Sequence, residues 1–435
     1  MSIEVMESDQ VTKPRIAALD VARGLALLGI FFVNASLFGE PFASVLDPSR
    51  PTHESWLSQL VYAGTMIFCT GKFYPLFSLL FGAGLAIMLA SAKRDGRSFV
   101  ATFLRRLILL ATFGLLHIVF LWVGDILLLY SIIGTAMLPL AYASPRVLLW
   151  VAGGAYSFGL LILVGLTGLM LLAGTMPEPV VKEMPAADSR LAQYIEVLKD
   201  WNQTEQYDSR LIELETQIMS QGPFHEQVFV RLCNYLFTSI FTALVMTWVV
   251  LPCFCVGAAL VKLKFFDEPW PVLRHRLLWA GLLIGLPLNV FGVILAQSAN
   301  EALVMGQSLA FQIGGPLMTL MYLVLVMNWV DSERGLAISR AIGQLGRMAL
   351  TGYLLESFLM SAVMLHWGLG RFGDTTWAER AGWVLGIYAV ILLFANTWLS
   401  RFRVGPLEWV WRMGTYARFV PLQQAAPLAT KNRGR

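Results

Sequence analysis

The chain has 435 residues, of which 57% are hydrophobic and only 14% are charged, and its formal net charge at pH 7 is +4. A soluble domain is closer to half apolar and a quarter charged, and disorder needs the opposite balance, so both classes are excluded. Four cysteines are too few for a disulfide scaffold. The composition therefore predicts an all-α, polytopic integral membrane protein embedded in a lipid bilayer, because helices satisfy their own backbone inside lipid.

Ten apolar stretches of the chain are long enough to cross about 30 Å of hydrocarbon as helices. They lie at 19–38, 61–90, 105–123, 126–143, 147–173, 235–260, 277–297, 305–330, 346–366 and 381–400. If the N-terminus is cytoplasmic, most of the 32 Lys and Arg residues fall in cytoplasmic segments, which is the usual bias of membrane proteins. We therefore predict about ten transmembrane helices with both termini in the cytoplasm.

The same pattern divides the chain into five parts. A cytoplasmic tail (1–18) precedes a five-helix half (19–173), and a second five-helix half (235–400) precedes a cytoplasmic interfacial helix and tail (401–435). Between the halves lies an acidic extracytoplasmic insertion (174–234), whose apolar residues recur at helical spacing and predict amphipathic helices. The insertion is either a connector resting on the membrane surface or a lid over a site that faces outward.

Ionisable side chains inside a span are energetically expensive, so each is a candidate functional residue. Asp20 and Arg23 open the first span three residues apart and share a helix face. They either form a structural pair, or Arg23 faces an anionic ligand from the cytoplasm with Asp20 beside it. Asn34 lies about 16 Å further along the helix axis. An amide at that depth usually bonds another helix, and a contact with substrate is the alternative.

Lys72 and Glu356 are two further ionisable residues in apolar surroundings. Gly71 and Pro75 disturb the helix around Lys72. If the span begins after Lys72, we expect its side chain to extend to the outer interface. Glu356 lies in the middle of the ninth span and must face protein or water. Lys72 or Arg23 is a conceivable ion-pair partner for Glu356.

The third and fourth spans form a tight hairpin, whose turn is indicated by Gly124 and Asp125. His117 lies about 9 Å below the outer edge in this topology. His53 lies in the first outer loop. A lone His in a helix is more often a packing residue, and a loop His is often only solvated. Nevertheless His53, Lys72, His117 and Asp125 all fall in the outer half of the membrane.

Other kinds of site are not indicated by the sequence. The cysteines match no zinc spacing, and there is no nucleotide-binding loop and no motif of a hydrolase. The positive-inside bias accounts for the net charge, so no nucleic-acid partner is expected. We expect no metal site and no permanently bound cofactor, and the sequence leaves homo-oligomer formation open.

Five segments of the chain closely resemble the YeiB-like family of bacterial inner-membrane proteins. They are LDVARGLALLGIFFVN, GKFYPLFSLLFGAG, HIVFLWVGDILLLY, GRMALTGYLLES and GPLEWVWR. The match runs from about 16 to 420 in the same order, and the C-terminal half of such proteins is domain of unknown function 418. The resemblance implies a multi-pass protein of the bacterial inner membrane. It also implies the fold of the transmembrane acyltransferase superfamily, with the lysosomal heparan-alpha-glucosaminide N-acetyltransferase as a distant relative.

Enzymes of that superfamily take acyl-CoA from the cytoplasm and deliver the acyl group to a sugar or other acceptor on the far side. They use a His in the first extracytoplasmic loop region, and the segment from His53 to Trp56 resembles the sequence around it. In this interpretation His53 or His117 is the general base on an acceptor hydroxyl or amine. Asp125 orients the His, and Lys72 stabilises developing negative charge. The phosphates of the acyl-CoA donor meet Arg23 from the cytoplasm.

The alternative is a proton-coupled transporter of a small solute. Asn34, Lys72, His117 and Glu356 would then line the pathway, and Glu356 or His117 would carry the proton. A structural membrane protein without chemistry is a third option. A cavity that joins Arg23 to the histidines would favour acyl transfer, whereas a midplane pocket around Glu356 would favour transport.

Overall fold

A computed structural model describes residues 17–45, 55–173, 184–200, 208–297, 301–332 and 334–423. Within these ranges the chain forms helices and no extended strand, so the all-α fold expected for a polytopic membrane protein is confirmed.

The helices follow one another in three groups. Before the insertion they are α1 (Ala17–Phe38), α2 (Phe42–Val45), α3 (Trp56–Phe68), α4 (Phe73–Arg94), α5 (Phe99–Phe120), α6 (Leu127–Leu140) and α7 (Pro145–Ala173). The insertion forms α8 (Arg190–Asp200) and α9 (Ser209–Gln221). The second half contains α10 (Phe224–Lys262), α11 (Pro271–Ala280), α12 (Leu286–Ala296), α13 (Glu301–Asp331), α14 (Leu336–Arg347), α15 (Ala349–Met364), α16 (Trp377–Arg401) and α17 (Pro406–Tyr416). A π-helical turn, Gly281–Gly285, joins α11 to α12.

Eight helical segments in the described ranges are long and apolar enough to cross a membrane. They are Ala17–Phe38, Trp56–Arg94, Phe99–Phe120, Pro145–Leu169, Ala243–Lys262, Pro271–Ala296, Gly306–Asp331 and Trp377–Arg401. The two other predicted spans, 126–143 and 346–366, coincide with α6 and α15, which have only 14 and 16 residues. Their helical lengths are about 21 and 24 Å, short of the roughly 30 Å of hydrocarbon.

The second predicted span, 61–90, is broken near its start. α3 ends at Phe68, and α4 begins at Phe73. Gly71 between them has φ +76°, a left-handed conformation that glycine adopts without steric penalty. Pro75 falls in the first turn of α4, where the backbone N–H groups have no intrahelical partner and its missing N–H does no harm.

The bundle is organised around close helix contacts. α1 packs against α4, α14, α15 and α16, and α10 packs against α4 and α7. α4 and α10 touch through their backbones: a β-carbon at Gly82 would lie 2.0 Å from the carbonyl oxygen of Phe254, and one at Gly257 would lie 1.9 Å from that of Leu79. Small residues allow such approach where van der Waals packing holds membrane helices together.

The insertion lies at one end of the bundle, which we name the insertion end. There α9 contacts α2 and α10 and buries Leu214 and Ile218. The loop after α15 joins it, since the His366 N–H donates to the Met219 carbonyl at 3.0 Å. The turn between α5 and α6 is at this same end, because its Leu121 carbonyl accepts a hydrogen bond from α10. This end therefore brings together side chains from both halves and the insertion.

Candidate functional site

The α5–α6 turn holds a buried His–Asp pair. Asp125 Oδ2 lies 2.9 Å from His117 Nδ1, and Asp125 Oδ1 accepts the backbone N–H of Leu128 at 2.7 Å. The second contact caps the first turn of α6, a position where a carboxylate is favoured. Both side chains of the pair are fully buried. The short helix α6 thus fixes the carboxylate, and the carboxylate fixes the imidazole.

The other ring nitrogen of His117 is not engaged. Nε2 is buried and has no hydrogen-bond partner among the residues that the structure describes. Because the Asp125 carboxylate is an acceptor, Nδ1 donates its hydrogen and Nε2 presents its lone pair. The ring of Tyr353 lies 5.0 Å from the imidazole and that of Trp122 lies 6.2 Å away, measured between centroids. The arrangement is that of an oriented base.

A small cavity lies beside this pair. It has a volume of about 30 Å³ and is lined by the turn residues Leu121, Trp122 and Val123 and by α1, α2, α9, α10 and α15. Trp122 contacts the imidazole of His117 and also lines the cavity, so it links the two. Its indole nitrogen is buried and has no partner within the described ranges.

Arg231 of α10 lies in the wall of this cavity, and it is 3% exposed. Its Nη1 donates to the carbonyl of Leu121 at 2.6 Å, and Ser361 Oγ donates to the same carbonyl at 3.1 Å. Its Nε and Nη2 have no hydrogen-bond partner in the described part of the chain. Burial lowers the pKa of Arg231 to about 10, so the guanidinium is still charged at neutral pH.

Glu215 of α9 is a buried carboxyl group in the same wall. It accepts the Phe42 N–H at 3.1 Å and Asn234 Nδ2–H at 2.9 Å, and the Tyr194 hydroxyl donates to the side-chain oxygen Oδ1 of Asn234 at 3.2 Å. Burial raises the pKa of Glu215 to about 7, although both hydrogen bonds favour the ionised form and lower it. The insertion is thereby joined to α2 and α10 by a connected polar network.

Lys72 lies elsewhere, and the expectation that it reaches the outer interface is wrong. Its side chain is 0% exposed. Nζ donates to the Met66 carbonyl at 2.8 Å and lies 4.7 Å from the centroid of the Phe311 ring. The break before α4 turns the ammonium towards α3 and α13, where a carbonyl and a ring replace water. The structure does not join Lys72 to the His117–Asp125 pair.

The remaining predicted site residues are dispersed. Arg23 Nη1 and Asp20 Oδ1 pair at 2.9 Å near the start of α1. Asn34 is half-buried on the same helix. Glu356 is buried on α15, and its Oε1 has no partner among the described residues. The conceivable ion pair of Glu356 with Lys72 or Arg23 is not formed.

His53 lies outside the described residues, so its position relative to the pair stays a prediction. Arg231, Asn234, Glu215 and Trp122 were not predicted as site residues. A signal for two of them exists: the helix pattern continues upstream of 235 through EQVFVRLCNYLF, and it puts Arg231 and Asn234 three residues apart on one face.

Glu408 marks the other end of the bundle. Its Oε1 accepts the N–H groups of Leu350 and Thr351 at 2.7 and 3.0 Å, and its Oε2 accepts the Thr351 hydroxyl at 2.6 Å. The carboxyl of α17 therefore caps the N-terminus of the short helix α15. This cap sets the axial position of α15, whose other residues include Tyr353 and Ser361 near the His117 site.

Two known bacterial proteins match this chain over almost its whole length. The model of the family "Protein of unknown function (DUF418)" matches residues 260–418. The uncharacterised protein YxaH of Bacillus subtilis (strain 168) is 30% identical over 428 residues, which is 95% of this chain and 97% of YxaH. The uncharacterised protein YeiB of Escherichia coli (strain K12) is 27% identical over 429 residues, which is 96% of this chain and 99% of YeiB. No solved structure matches the chain.

Proposed function

The chain belongs to the family of YxaH and YeiB, which contains domain of unknown function 418, and we propose that it transfers an acyl group to a hydroxyl or amine acceptor at the His117–Asp125 pair. The donor in this proposal is cytoplasmic acyl-CoA, and the acceptor is a sugar or another extracytoplasmic molecule. Membership of the transmembrane acyltransferase superfamily and residence in the bacterial inner membrane are parts of the same proposal, both implied by the sequence resemblance.

The observation that carries the proposal is the state of His117. Nδ1 is held by Asp125, and Nε2 is buried without a partner in the described ranges. A base of this kind removes the proton of the acceptor as its oxygen or nitrogen attacks the thioester carbonyl. The C–S bond then breaks, and the imidazolium returns the proton to the leaving thiolate. Asp125 stabilises the imidazolium between the two steps.

Trp122 supplies a second element. Its indole N–H is buried, unpartnered in the described part of the chain, and adjacent to His117. A preorganised N–H in a dry site stabilises the negative charge that develops on the thioester oxygen. This role replaces the one expected for Lys72, which lies in a different part of the bundle.

The donor phosphates are assigned to the opposite end. Arg23 and Arg106 both lie against one turn of α4, since Arg23 Nη2 is 3.9 Å from the β-carbon position of Gly84 and the Arg106 guanidinium is 5.7 Å from the ring of Phe81. Arg106 and His117 share α5, about 16 Å apart at the helical rise. An extended pantetheine arm would bring the thioester from the arginines to the base.

A proton-coupled transporter is the second candidate, and a single observation favours it. Glu356 is 2% exposed in the interior of α15 and lacks a described partner for Oε1. A buried carboxyl group of this kind is suited to carry a proton. The cavity beside His117 is lined by neither Glu356 nor Arg23, so it does not decide between the two candidates.

Acyl-CoA binding and turnover by the purified protein test the proposal. Calorimetry in detergent would compare the wild type with Arg23→Ala, and release of free thiol would compare it with His117→Gln. Saturable binding weakened by Arg23→Ala, and thiol release lost in His117→Gln, support acyl transfer. No binding at millimolar acyl-CoA by folded protein would overturn it. Proton uptake in vesicles that is lost only in Glu356→Gln would support the transporter.

A further inference from the structure

Arg231 is a buried cation, and only one of its three guanidinium nitrogens makes a hydrogen bond within the described ranges. Nη1 is bound to the Leu121 carbonyl at 2.6 Å, whereas Nε and Nη2 have no partner within the described ranges. Leaving buried donors unpaired costs free energy, about 1–3 kcal/mol for each group and more for charged ones. A buried guanidinium with two such nitrogens is therefore a position where an acceptor from outside the chain would be strongly stabilised.

Nε and Nη2 form a matched pair of donor nitrogens. Nε–H and one N–H of Nη2 point in parallel from one edge of the planar guanidinium. This fork fits two oxygens of a carboxylate or a phosphate, and such bidentate contacts are stronger than neutral hydrogen bonds. The contact of Nη1 with Leu121 fixes the plane of the fork in advance. The Nε–Nη2 edge of Arg231 is thus held in place, and no residue in the described ranges accepts a hydrogen bond from it.

The cavity beside Arg231 has room for such a group. Its volume of about 30 Å³ corresponds to roughly two water-sized atoms, which is the size of the oxygens of one carboxylate. The Trp122 indole N–H, also without a described partner, and the side chain of Asn234 line the same space. Leu37, Phe38 and Met219 form apolar walls, which strengthen a charge–charge contact by excluding water.

Two carboxyl groups line the cavity and could oppose an anion. Glu40 is paired with Arg380, so its charge is compensated. Glu215 already accepts two hydrogen bonds from Phe42 and Asn234. Because burial raises the pKa of Glu215 to about 7, this carboxyl group is partly neutral near physiological pH. Arg231 therefore has no carboxylate partner among the described residues, and its guanidinium lies 5.8 Å from the centroid of the Phe224 ring.

We propose that this cavity is an oxyanion-binding subsite, in which Arg231 Nε and Nη2 bind a carboxylate or phosphate group of the molecule that is acylated at His117. The acceptor is then an acidic molecule, for example an acidic sugar or a phosphate ester, rather than a neutral one. The Leu121 carbonyl that anchors Arg231 is one helical turn from His117, because Leu121 N–H donates to the His117 carbonyl at 2.9 Å. The assignment of the anion to the acceptor rests on the proposed function, whereas anion binding by Arg231 does not.

The test is anion binding by the full chain in detergent, without acyl-CoA. Sodium acetate and sodium phosphate serve as probes, acetamide is the neutral control, and sodium chloride keeps ionic strength constant. Binding is followed by calorimetry and by the change in tryptophan fluorescence. We expect saturable binding of at least one oxyanion and none of acetamide, and the stronger of acetate and phosphate identifies the group that the subsite prefers.

Four variants make the test specific. Arg231→Gln should weaken oxyanion binding roughly tenfold or more, and Arg231→Lys should weaken it by less because the charge remains without the fork. Arg190→Gln on the exposed surface of α8 is the matched control and should bind like the wild type. If Arg231→Gln does not fold, Trp122→Phe replaces it, and a severalfold loss is expected.

The proposal is overturned if folded wild-type protein binds neither anion, or if Arg231→Gln binds as tightly as the wild type or, where that variant does not fold, Trp122→Phe does. Its failure is separable from failure of the proposed function. Oxyanion binding at Arg231 without acyl-CoA turnover would remove the acyltransferase and keep the subsite. Turnover that depends on His117 but not on Arg231, in protein that binds no oxyanion, would remove the subsite and keep the acyltransferase.

Discussion

Asp125 holds His117 with one carboxylate oxygen and the first turn of α6 with the other, at 2.9 and 2.7 Å. The imidazole is therefore oriented by the start of a helix rather than by a flexible loop. α6 is one of two helices in the described ranges that are apolar but shorter than a full span. A helix N-terminus, a carboxylate and an imidazole therefore meet at the α5–α6 turn.

Asp125→Asn should abolish most acyl transfer without unfolding the protein. The Asn oxygen can still accept the Leu128 N–H, but its amide donates towards His117 Nδ1. The imidazole must then carry its hydrogen on Nε2, where the base is needed. We expect a fall in turnover of about 100-fold or more, the usual contribution of a general base. Initial rates of thiol release check this, and a rate close to that of the wild type would contradict the assigned orientation.

Glu215 should make stability depend on pH in a defined direction. Its folded pKa is about 7 and its ordinary value is 4.5. Between these values the unfolded carboxyl ionises while the folded one keeps its proton, so the free energy of unfolding falls as pH rises. The contribution is complete below about pH 4.5 and absent above about pH 7, and it amounts to at most about 3 kcal/mol.

Thermal unfolding of wild type and Glu215→Gln from pH 4.5 to 8 measures this contribution. The stability of the wild type relative to the variant should decline across pH 4.5–7 and level off above it. A relative stability that stays constant or rises over that interval would contradict the buried, uncharged state of Glu215.

Glu408→Ala should destabilise the bundle through the start of α15. The Leu350 and Thr351 N–H groups would lose their acceptor, at a cost of about 1–3 kcal/mol. Glu213→Gln, on the exposed face of α9, is the control and should be nearly neutral. Unfolding temperatures in detergent compare the two, and equal values for both variants would show that the cap contributes nothing.

Gly82→Ala should loosen the α4–α10 contact. The added β-carbon would lie 2.0 Å from the Phe254 carbonyl oxygen, so the helices must move apart. Overpacking of this kind costs about 1–3 kcal/mol. Gly153→Ala on α7 meets open space and should be neutral or stabilising by up to about 1 kcal/mol. If both alanines have the same effect on unfolding, the close approach is not a stabilising feature.

The fold follows from the sequence more directly than the site does. The bilayer fixes how long an apolar run must be, and each of the ten stretches expected to cross it is helical over most of its length. Hydropathy does not report where a helix ends within the bundle, and α6 and α15 are shorter than their apolar runs. The turn at Gly124 and Asp125 suggested that His117 and Asp125 were near each other, and the structure brings them together.

Lys72 and Arg231 show why the other residues of the site could not be predicted from the sequence. The predicted topology puts Lys72 and His117 in the same half of the membrane. Whether their side chains meet depends on how the helices pack side by side, and one sequence does not reveal that packing. Arg231 precedes the apolar run of its helix, so a search for ionisable residues inside spans passes over it. The helical pattern upstream of 235 is its only signal in the sequence, and the structure shows that α10 begins at Phe224.

The most direct test of the central claim is thiol release from acyl-CoA by wild type, His117→Gln and His366→Gln, reconstituted in vesicles of bacterial lipid. His366 is exposed at the insertion end and serves as the matched histidine. The account predicts turnover in wild type and His366→Gln and its loss, by about 100-fold or more, in His117→Gln. Equal turnover in all three proteins, or no thiol release by any of them while acyl-CoA is bound, would contradict a base at His117.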